Sequence, residues 1–139
     1  MDRANYFPQT NVLKAKQMCV SLQGAGSGKA PTLLYGDPNA TYFSQPAFVS
    51  TGIWTITTLD PYPGWVSIPA PGIMQATGAG TLTIQQSPKP SQLTTASGSN
   101  PVNAWKFTFN TFVSGSLSDM LAGDQASLVF VMSNSSVAT

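Results

Sequence analysis

The chain has 139 residues and a formal net charge of +1, and only 8% of its residues are charged. This length suits one domain, and so small a net charge excludes a protein steered by its field to nucleic acid or to an acidic membrane. The low charge content favours a surface covered by a partner or by copies of the same chain, or else a Thr/Ser/Asn/Gln-rich β-protein that is soluble with few ions.

The N-terminal segment, residues 1–17, has no regular hydrophobic period and predicts an extended arm ahead of a folded domain formed by residues 18–139. Three of the six basic residues lie in this segment, a mild bias that falls far short of a nucleic-acid-binding arm. A polar terminus of this kind either frays or lies along a partner. The candidate contact residues of the arm are Arg3, Tyr6, Phe7, Lys14 and Lys16.

An apolar run, Met18–Leu22, begins the folded part and favours a strand. Cys19 is the single cysteine, and its apolar neighbours predict a buried thiol in a protein made in a reducing compartment. The next stretch, GAGSGKAP at residues 24–31, is similar in composition to a phosphate-binding loop. The pattern G-x-x-x-x-G-K-[ST] would need glycine and a hydroxyl where this chain has Gln23 and Ala30. We therefore interpret the stretch as a flexible surface loop.

Short β-rich runs separated by proline and glycine make up most of the remaining chain. In chain order, the predicted strands are Thr32–Tyr35, Ala47–Ser50, Ile53–Leu59, Trp65–Ile68, Thr81–Gln85, Trp105–Asn110 and Leu128–Met132. The run from Trp105 alternates most clearly, with Trp105, Phe107 and Phe109 on one apolar face. The last run is continuously apolar and predicts a strand that is buried on both faces.

Two longer polar connections separate these runs. Gln86–Asn103 is too polar for the core and predicts a projecting loop. In Ser114–Gln125, Ser118 predicts the cap of one helical turn that runs through Leu121 and ends at Gly123. Several short strands with turn signals between them predict an all-β fold, a single antiparallel β-sandwich or jelly-roll-like domain behind the N-terminal arm.

Side chains that perform catalysis are scarce in this sequence. The chain has no histidine and no glutamate, which removes the commonest general base and metal ligand. Four aspartates lie beside proline, glycine or a turn signal and are interpreted as turn-forming residues: Asp37, Asp60, Asp119 and Asp124. A single cysteine without histidine excludes the usual zinc sites. We expect no enzymatic activity, no metal and no cofactor; an enzyme would need two aspartates held across one cleft.

The tryptophans and one tyrosine are candidates for a stacking surface. Trp54 and Trp105 fall inside predicted strands, which favours a place in the core. Tyr62 and Trp65 follow the end of a strand, so we take these two as candidate exposed aromatic residues. No apolar stretch reaches membrane-spanning length, and the start MDRANYFPQT has no hydrophobic signal core.

Three segments resemble a known family. VSTGIWTIT, residues 49–57, resembles the strand motif S-x-T-G-x-Y/W-T-I/V-T of small tailed-bacteriophage head proteins. DPYPGWVSI, residues 60–68, is similar to the turn and second strand that follow in those proteins. GDQASLVFVMSNSSV, residues 123–137, is similar to their final strand, which closes on N-S-S-V. The resemblance covers roughly Leu34 to Val137.

The resemblance implies a capsid cement, or decoration, protein of a tailed bacteriophage. Such a protein is β-rich, is made in the host bacterial cytoplasm and binds in many copies to the outer capsid surface. Its partners would be the major capsid protein of the same virus and further copies of itself, as a dimer or trimer, with no nucleic acid or membrane bound. The arm residues then become candidate capsid contacts. The alternative is the receptor- or carbohydrate-binding tip of a phage tail fibre, which would use Tyr62, Trp65 and the loop Gln86–Asn103.

Overall fold

The computed structural model describes residues 15–34, 42–67, 71–76, 78 and 80–133. These ranges contain eleven β-strands and no α-helix, and therefore no helix long and apolar enough to cross a membrane. The strands are β1 (Ala15–Gln23), β2 (Thr32–Leu33), β3 (Ala47–Ser50), β4 (Ile53–Pro61), β5 (Gly64–Ser67), β6 (Gly72–Met74), β7 (Leu82–Gln86), β8 (Ser91–Gln92), β9 (Ala104–Val113), β10 (Ser116–Leu117) and β11 (Gln125–Ser133).

The first sheet is built around the longest uninterrupted pairing among the described residues, β1 with β11. These two strands run antiparallel from Ala15 opposite Ser133 to Gln23 opposite Gln125. The order is β2-β1-β11-β5, and β6 also pairs with β11. Two ends of the described chain are thus joined in one ladder, although more than a hundred residues separate them in sequence.

The second sheet is centred on β9, which pairs with β4, β7, β8 and β10. β3 pairs with β4 and forms an edge of this sheet. All of the strand pairs are antiparallel. The two-residue strand β8 lies inside the long polar connection Gln86–Asn103 and holds part of it against β9.

One hydrophobic core fills the space between the two sheets. Phe130 of β11 lies at its centre, with its ring centroid 4.9 Å from Phe107 and 4.7 Å from Phe43. Trp54 of β4 stacks on Phe109 of β9 at 4.8 Å. Each such aromatic pair contributes about 0.5–1.5 kcal/mol beyond the burial of its area. The aromatic residues of β4 and β9 therefore meet those of β11 and hold the two sheets together.

The predicted all-β fold with antiparallel sheets is confirmed. Trp54, Phe107 and Phe109 are buried as expected, and Trp105 is half-buried against the same core. The jelly-roll-like connectivity stays a prediction. β1 already begins at Ala15, so residues 15–17, which we assigned to the arm, belong to the first sheet. Residues 1–14 lie outside the described part of the chain.

Three local predictions are wrong. The segment after Ser118 forms no helical turn; it is irregular chain that leads to a turn at Gly123, which has a φ of 91°. The connection Gln86–Asn103 does not project, because β8 pairs with β9 and the Asn100 side chain donates to the Thr58 carbonyl, which holds the connection against the sheet. β11 is not buried on both faces: its residues alternate between buried and half-exposed along most of its length.

Candidate interaction surfaces

The outward side of the first sheet is one candidate surface, which we call the first-sheet face. Strand residues alternate between the two sides of a sheet, and Met18, Val20 and Leu22 of β1 point into the core. The residues between them therefore point outward, as do their partners on β11. The register places them in three opposing pairs: Gln17 with Val131, Cys19 with Val129, and Ser21 with Ser127.

The exposure of Cys19 contradicts the prediction from sequence. Its apolar neighbours predicted a buried thiol, but the side chain is exposed on the first-sheet face. The signal was present in the sequence, because Met18, Val20 and Leu22 recur at period two and leave Cys19 and Ser21 on the other side. This alternation, and not the apolar character of the run, decides that Cys19 points outward.

The first-sheet face carries no charged residue among those that the structure describes. The charged side chains of the described part are Lys16, Lys29, Asp60, Lys89, Lys106, Asp119 and Asp124. Lys16 is half-buried on the core side of β1, with its ammonium 4.1 Å from the centroid of the Tyr42 ring. Both Asp119 and Asp124 are buried. The four remaining charges belong to other parts of the molecule.

The glycine-rich loop, residues 24–31, binds the carboxylate of Asp119, a residue of the same chain. The Gly28 N–H donates to one carboxylate oxygen of Asp119 at 2.7 Å, and the Gly52 N–H donates to the other at 2.7 Å. Asp119 thereby joins the loop to the turn between β3 and β4. Gly24 lies so close to the neighbouring chain that an added Cβ would lie 2.1 Å from the Leu121 carbonyl oxygen. The loop is therefore a packed structural element.

Asp124, which precedes β11, also accepts backbone hydrogen bonds from separate segments. One carboxylate oxygen accepts from the Ala76 N–H at 2.8 Å and the other from the Leu121 N–H at 3.3 Å. Both aspartates follow the turn-forming interpretation in part, but each also ties distant segments together. No group of three His, Cys, Asp or Glu side chains with the geometry of a metal site occurs among the described residues.

Tyr62 and Trp65, the two candidate exposed aromatics, have different environments. Tyr62 is buried, with 5% of its surface exposed, so our expectation for it is wrong. Its hydroxyl donates to Met18 Sδ at 3.4 Å, and desolvation raises the pKa of its phenol, although the nearby Lys16 ammonium acts in the opposite direction. Trp65 keeps 36% of its surface exposed. Of these two candidates, only Trp65 is available for stacking on a ligand.

The burial of Tyr62 follows from contacts that its sequence neighbourhood does not contain. Its carbonyl accepts from the Trp105 indole N–H at 2.8 Å and from Gln92 Nε2 at 3.0 Å. These bonds hold the end of β4 against β8 and β9. A shallow groove of about 350 Å³ remains beside it, lined by Pro61, Tyr62, Pro63, Gln92 and Asn103.

The arm candidates lie mostly outside the described residues. Arg3, Tyr6, Phe7 and Lys14 fall in the range 1–14, which the structure does not describe. Lys16 is described and lies in β1 above the Tyr42 ring, so at least part of its surface is used within the domain. The structure thus brings Lys16 close to Tyr62, two residues that we placed in separate candidate groups.

A second candidate surface was not found from sequence. A polar groove of about 400 Å³ lies on the outward side of the second sheet, between β3 and the loop Leu93–Asn100. We call it the threonine groove, because Thr55 and Thr57 of β4 and Lys106 of β9 line it together with serine and asparagine residues of the loop. The alternation of β4 and β9 placed these polar residues on one face, but the fold of the loop over that face had no local signal.

Comparisons with protein-family models, with curated proteins and with solved structures find no match to this chain.

Proposed function

We propose that this protein is a structural component of a tailed-phage virion that binds the outer surface of the head and stabilises contacts between major capsid protein subunits. The observation that supports a binding role best is the uncharged first-sheet face. The sequence resemblance to phage head proteins supports the choice of partner. A homo-oligomer, a dimer or trimer, is part of the same proposal.

An uncharged face suits a protein whose task is adhesion. Burying a charge at an interface is costly unless it is paired, and the centres of protein interfaces are depleted of charged residues. Here hydroxyl, amide and small apolar side chains alternate across β1 and β11, including Ser127, Val129 and Val131. Such a face can contact a neutral region of another protein without stripping water from an ion.

The size of this face predicts modest affinity for each copy. β1 and β11 have nine residues each, which span about 30 Å, and four strand positions span about 19 Å across the sheet. Because the flanking strands β2, β5 and β6 have only two to four residues each, the projected face is about 430 Å², roughly half of the 800 Å² that one partner contributes to a standard interface. Stable decoration would come from several such contacts made together by linked copies.

The arm belongs to the same proposal. Residues 1–14 precede β1, the strand that contributes to the uncharged face, in sequence. Arg3, Tyr6, Phe7 and Lys14 would add contact area to that face on docking. Deletion of residues 1–14 is expected to weaken binding to undecorated heads without unfolding the domain.

A charge-insertion experiment tests the face directly. Val129 is half-exposed at the middle of the first-sheet face, opposite Cys19, and Val129→Lys places an ammonium there. Thr83→Lys is the matched control, because Thr83 is exposed on the outward side of the second sheet. We expect the Val129 variant to bind undecorated heads at least about tenfold more weakly, the effect of an unpaired charge at an interface, and the Thr83 variant to bind like the unmodified protein.

Cys19 provides a readout without mutation. A maleimide should label it in the free protein and should fail to label it on decorated heads, as measured by mass spectrometry of the peptide that contains it. Full labelling on the heads together with normal binding by the Val129 variant would exclude the first-sheet face. No association with heads under any condition would refute the proposed function itself.

The alternative is a receptor- or carbohydrate-binding tip of a tail fibre. The exposed indole of Trp65 and the threonine groove, which the loop Leu93–Asn100 walls, are the observations that favour it. Location discriminates between the two: a cement protein is present at high copy number on the head, and a fibre tip at low copy number on the tail. Labelling of intact particles with an antibody and electron microscopy would decide.

A further inference from the structure

The threonine groove contains polar groups that the protein itself does not use. Thr55 lies on its floor with 7% of its surface exposed. Its hydroxyl is not among the buried unpaired atoms of the described residues, so the oxygen itself is accessible from the groove. A hydroxyl that faces a groove can donate to and accept from a ligand or water there.

The neighbouring groups extend this pattern. Thr57 lies two residues further along β4 on the same side of the sheet, and Lys106 is its direct cross-strand partner on β9. Side chains in such a pair are about 5 Å apart. The groove therefore presents two hydroxyls and one ammonium along its floor, and Ser97 and Ser99 add hydroxyls on its wall. No aspartate is among the residues that line it.

The wall of the groove is fixed in place. Ser97 and Asn100 exchange two backbone hydrogen bonds of 2.9 Å. Asn100 Nδ2 donates to the Thr58 carbonyl at 2.9 Å, and Leu93 N–H donates to the Ala104 carbonyl at 2.8 Å. The loop thus keeps its position over the sheet before any ligand arrives, which lowers the entropic cost of binding. A volume of about 400 Å³ lies within the usual range for small-molecule sites.

We propose that the threonine groove binds an acidic saccharide, a sugar that carries a carboxylate. The Lys106 ammonium would receive the carboxylate, and the hydroxyls of Thr55, Thr57 and the two loop serines would bind the ring hydroxyls. No aromatic side chain lines the groove, so hydrogen bonds and the single charge supply the affinity, without stacking. This site rests on the alternative carbohydrate-binding function, for which it names the sugar class, and it lies on the opposite side of the sandwich from the first-sheet face.

An NMR titration of the free protein tests the site. The probes are glucuronic acid, glucose as the neutral sugar, and acetyl-dialanine as a peptide carboxylate, and the amide shifts of Thr55, Thr57 and Ser97–Asn100 are followed. Glucuronic acid should produce saturable shifts with a Kd of about millimolar order, as expected for a few hydrogen bonds and one charge pair. Glucose should bind at least about tenfold more weakly, because it lacks the charge-assisted bond.

Two variants and one control sharpen the result. Lys106→Gln should weaken glucuronic acid about tenfold, and Thr55→Val, which keeps the shape and removes the hydroxyl, about fivefold. Lys89→Gln is the control. Lys89 is an exposed lysine of the connection Gln86–Asn103, and it does not line the groove. Unchanged spectra outside the groove show that each variant is folded.

Several results would overturn the proposal. They are an absence of saturable shifts with glucuronic acid, equal binding of glucose and glucuronic acid, tighter binding of acetyl-dialanine than of glucuronic acid, or normal binding by Lys106→Gln. The experiment contains no phage heads, so its outcome is independent of whether the protein decorates them.

Discussion

Asp119 is predicted to be one of the most important polar residues for stability. Its two carboxylate oxygens accept from the Gly28 and Gly52 N–H groups, which lie 91 and 67 residues away in sequence. Asp119 is buried, with 8% of its surface exposed. Removing it leaves the buried Gly52 N–H without an acceptor, removes the bond to the exposed Gly28 N–H and releases the glycine loop from the turn between β3 and β4.

The magnitude follows from the number of bonds. A hydrogen bond to a charged group contributes about 1.5–3 kcal/mol, so Asp119→Ala should lower the free energy of unfolding by about 3–6 kcal/mol. Asp119→Asn keeps one acceptor oxygen and turns an amide N–H₂ toward the other donor, which should cost about 2–4 kcal/mol. Either loss is a large part of the roughly 5–15 kcal/mol that stabilises a typical domain.

Urea unfolding followed by tryptophan fluorescence measures these values, and Asp60→Asn is the matched control at an exposed aspartate. We expect the control to change stability by less than about 0.5 kcal/mol. Hydrogen exchange adds a local readout, because the Gly28 and Gly52 amides should lose protection in Asp119→Asn. If Asp119→Asn is as stable as the Asp60 control and both amides stay protected, the carboxylate does not hold these segments together.

Three further predictions concern packing, ionisation and exposure. Gly24→Ala should destabilise the protein by about 2–4 kcal/mol, because the new Cβ would lie 2.1 Å from the Leu121 carbonyl oxygen. Gly64→Ala is the control and should be nearly neutral, because its new Cβ meets no atom within 4 Å. Equal unfolding free energies for the two variants would contradict the close packing at Gly24. Burial raises the pKa of the Tyr62 phenol above its ordinary value of 10.0, so its contribution to stability is fully present below that pH and is lost as the pH rises through the folded pKa. Tyr62→Phe should therefore reduce the fall in unfolding free energy at alkaline pH, and an unchanged profile would exclude this cause. Cys19 should react with a maleimide in the native protein at the rate of an exposed thiol, and labelling that requires denaturant would place it in the interior.

Several strands were predictable because their signal is local. The side chains of a strand alternate with a period of two residues, so Leu82 and Ile84 on β7, and Phe107 and Phe109 on β9, show their buried face in sequence alone. Trp54 on β4 follows the same logic. The all-β class follows from these runs and from the proline and glycine residues between them.

The candidate surfaces were much less predictable, because each depends on a contact between distant segments. Tyr62 is buried because β8, β9 and Met18 cover it, although its own neighbours are polar or proline. The threonine groove exists because Asn100 reaches Thr58, 42 residues away, and fixes a loop over β4. Neither contact can be predicted from a short window of sequence, because both join residues that are far apart in the chain.

The sequence by itself determined the class of fold, the scarcity of ions and the face of each clearly alternating strand, since composition and a two-residue period need no knowledge of neighbours. Tertiary structure alone decided which strands pair, that the glycine loop takes its anion from Asp119, and that all described charges lie away from the first-sheet face. The physical reason is that the pairing of strands places residues that are distant in sequence next to one another, and these neighbours determine the environment of each side chain. The ladder between β1 and β11, which joins the two ends of the described chain, is the largest example.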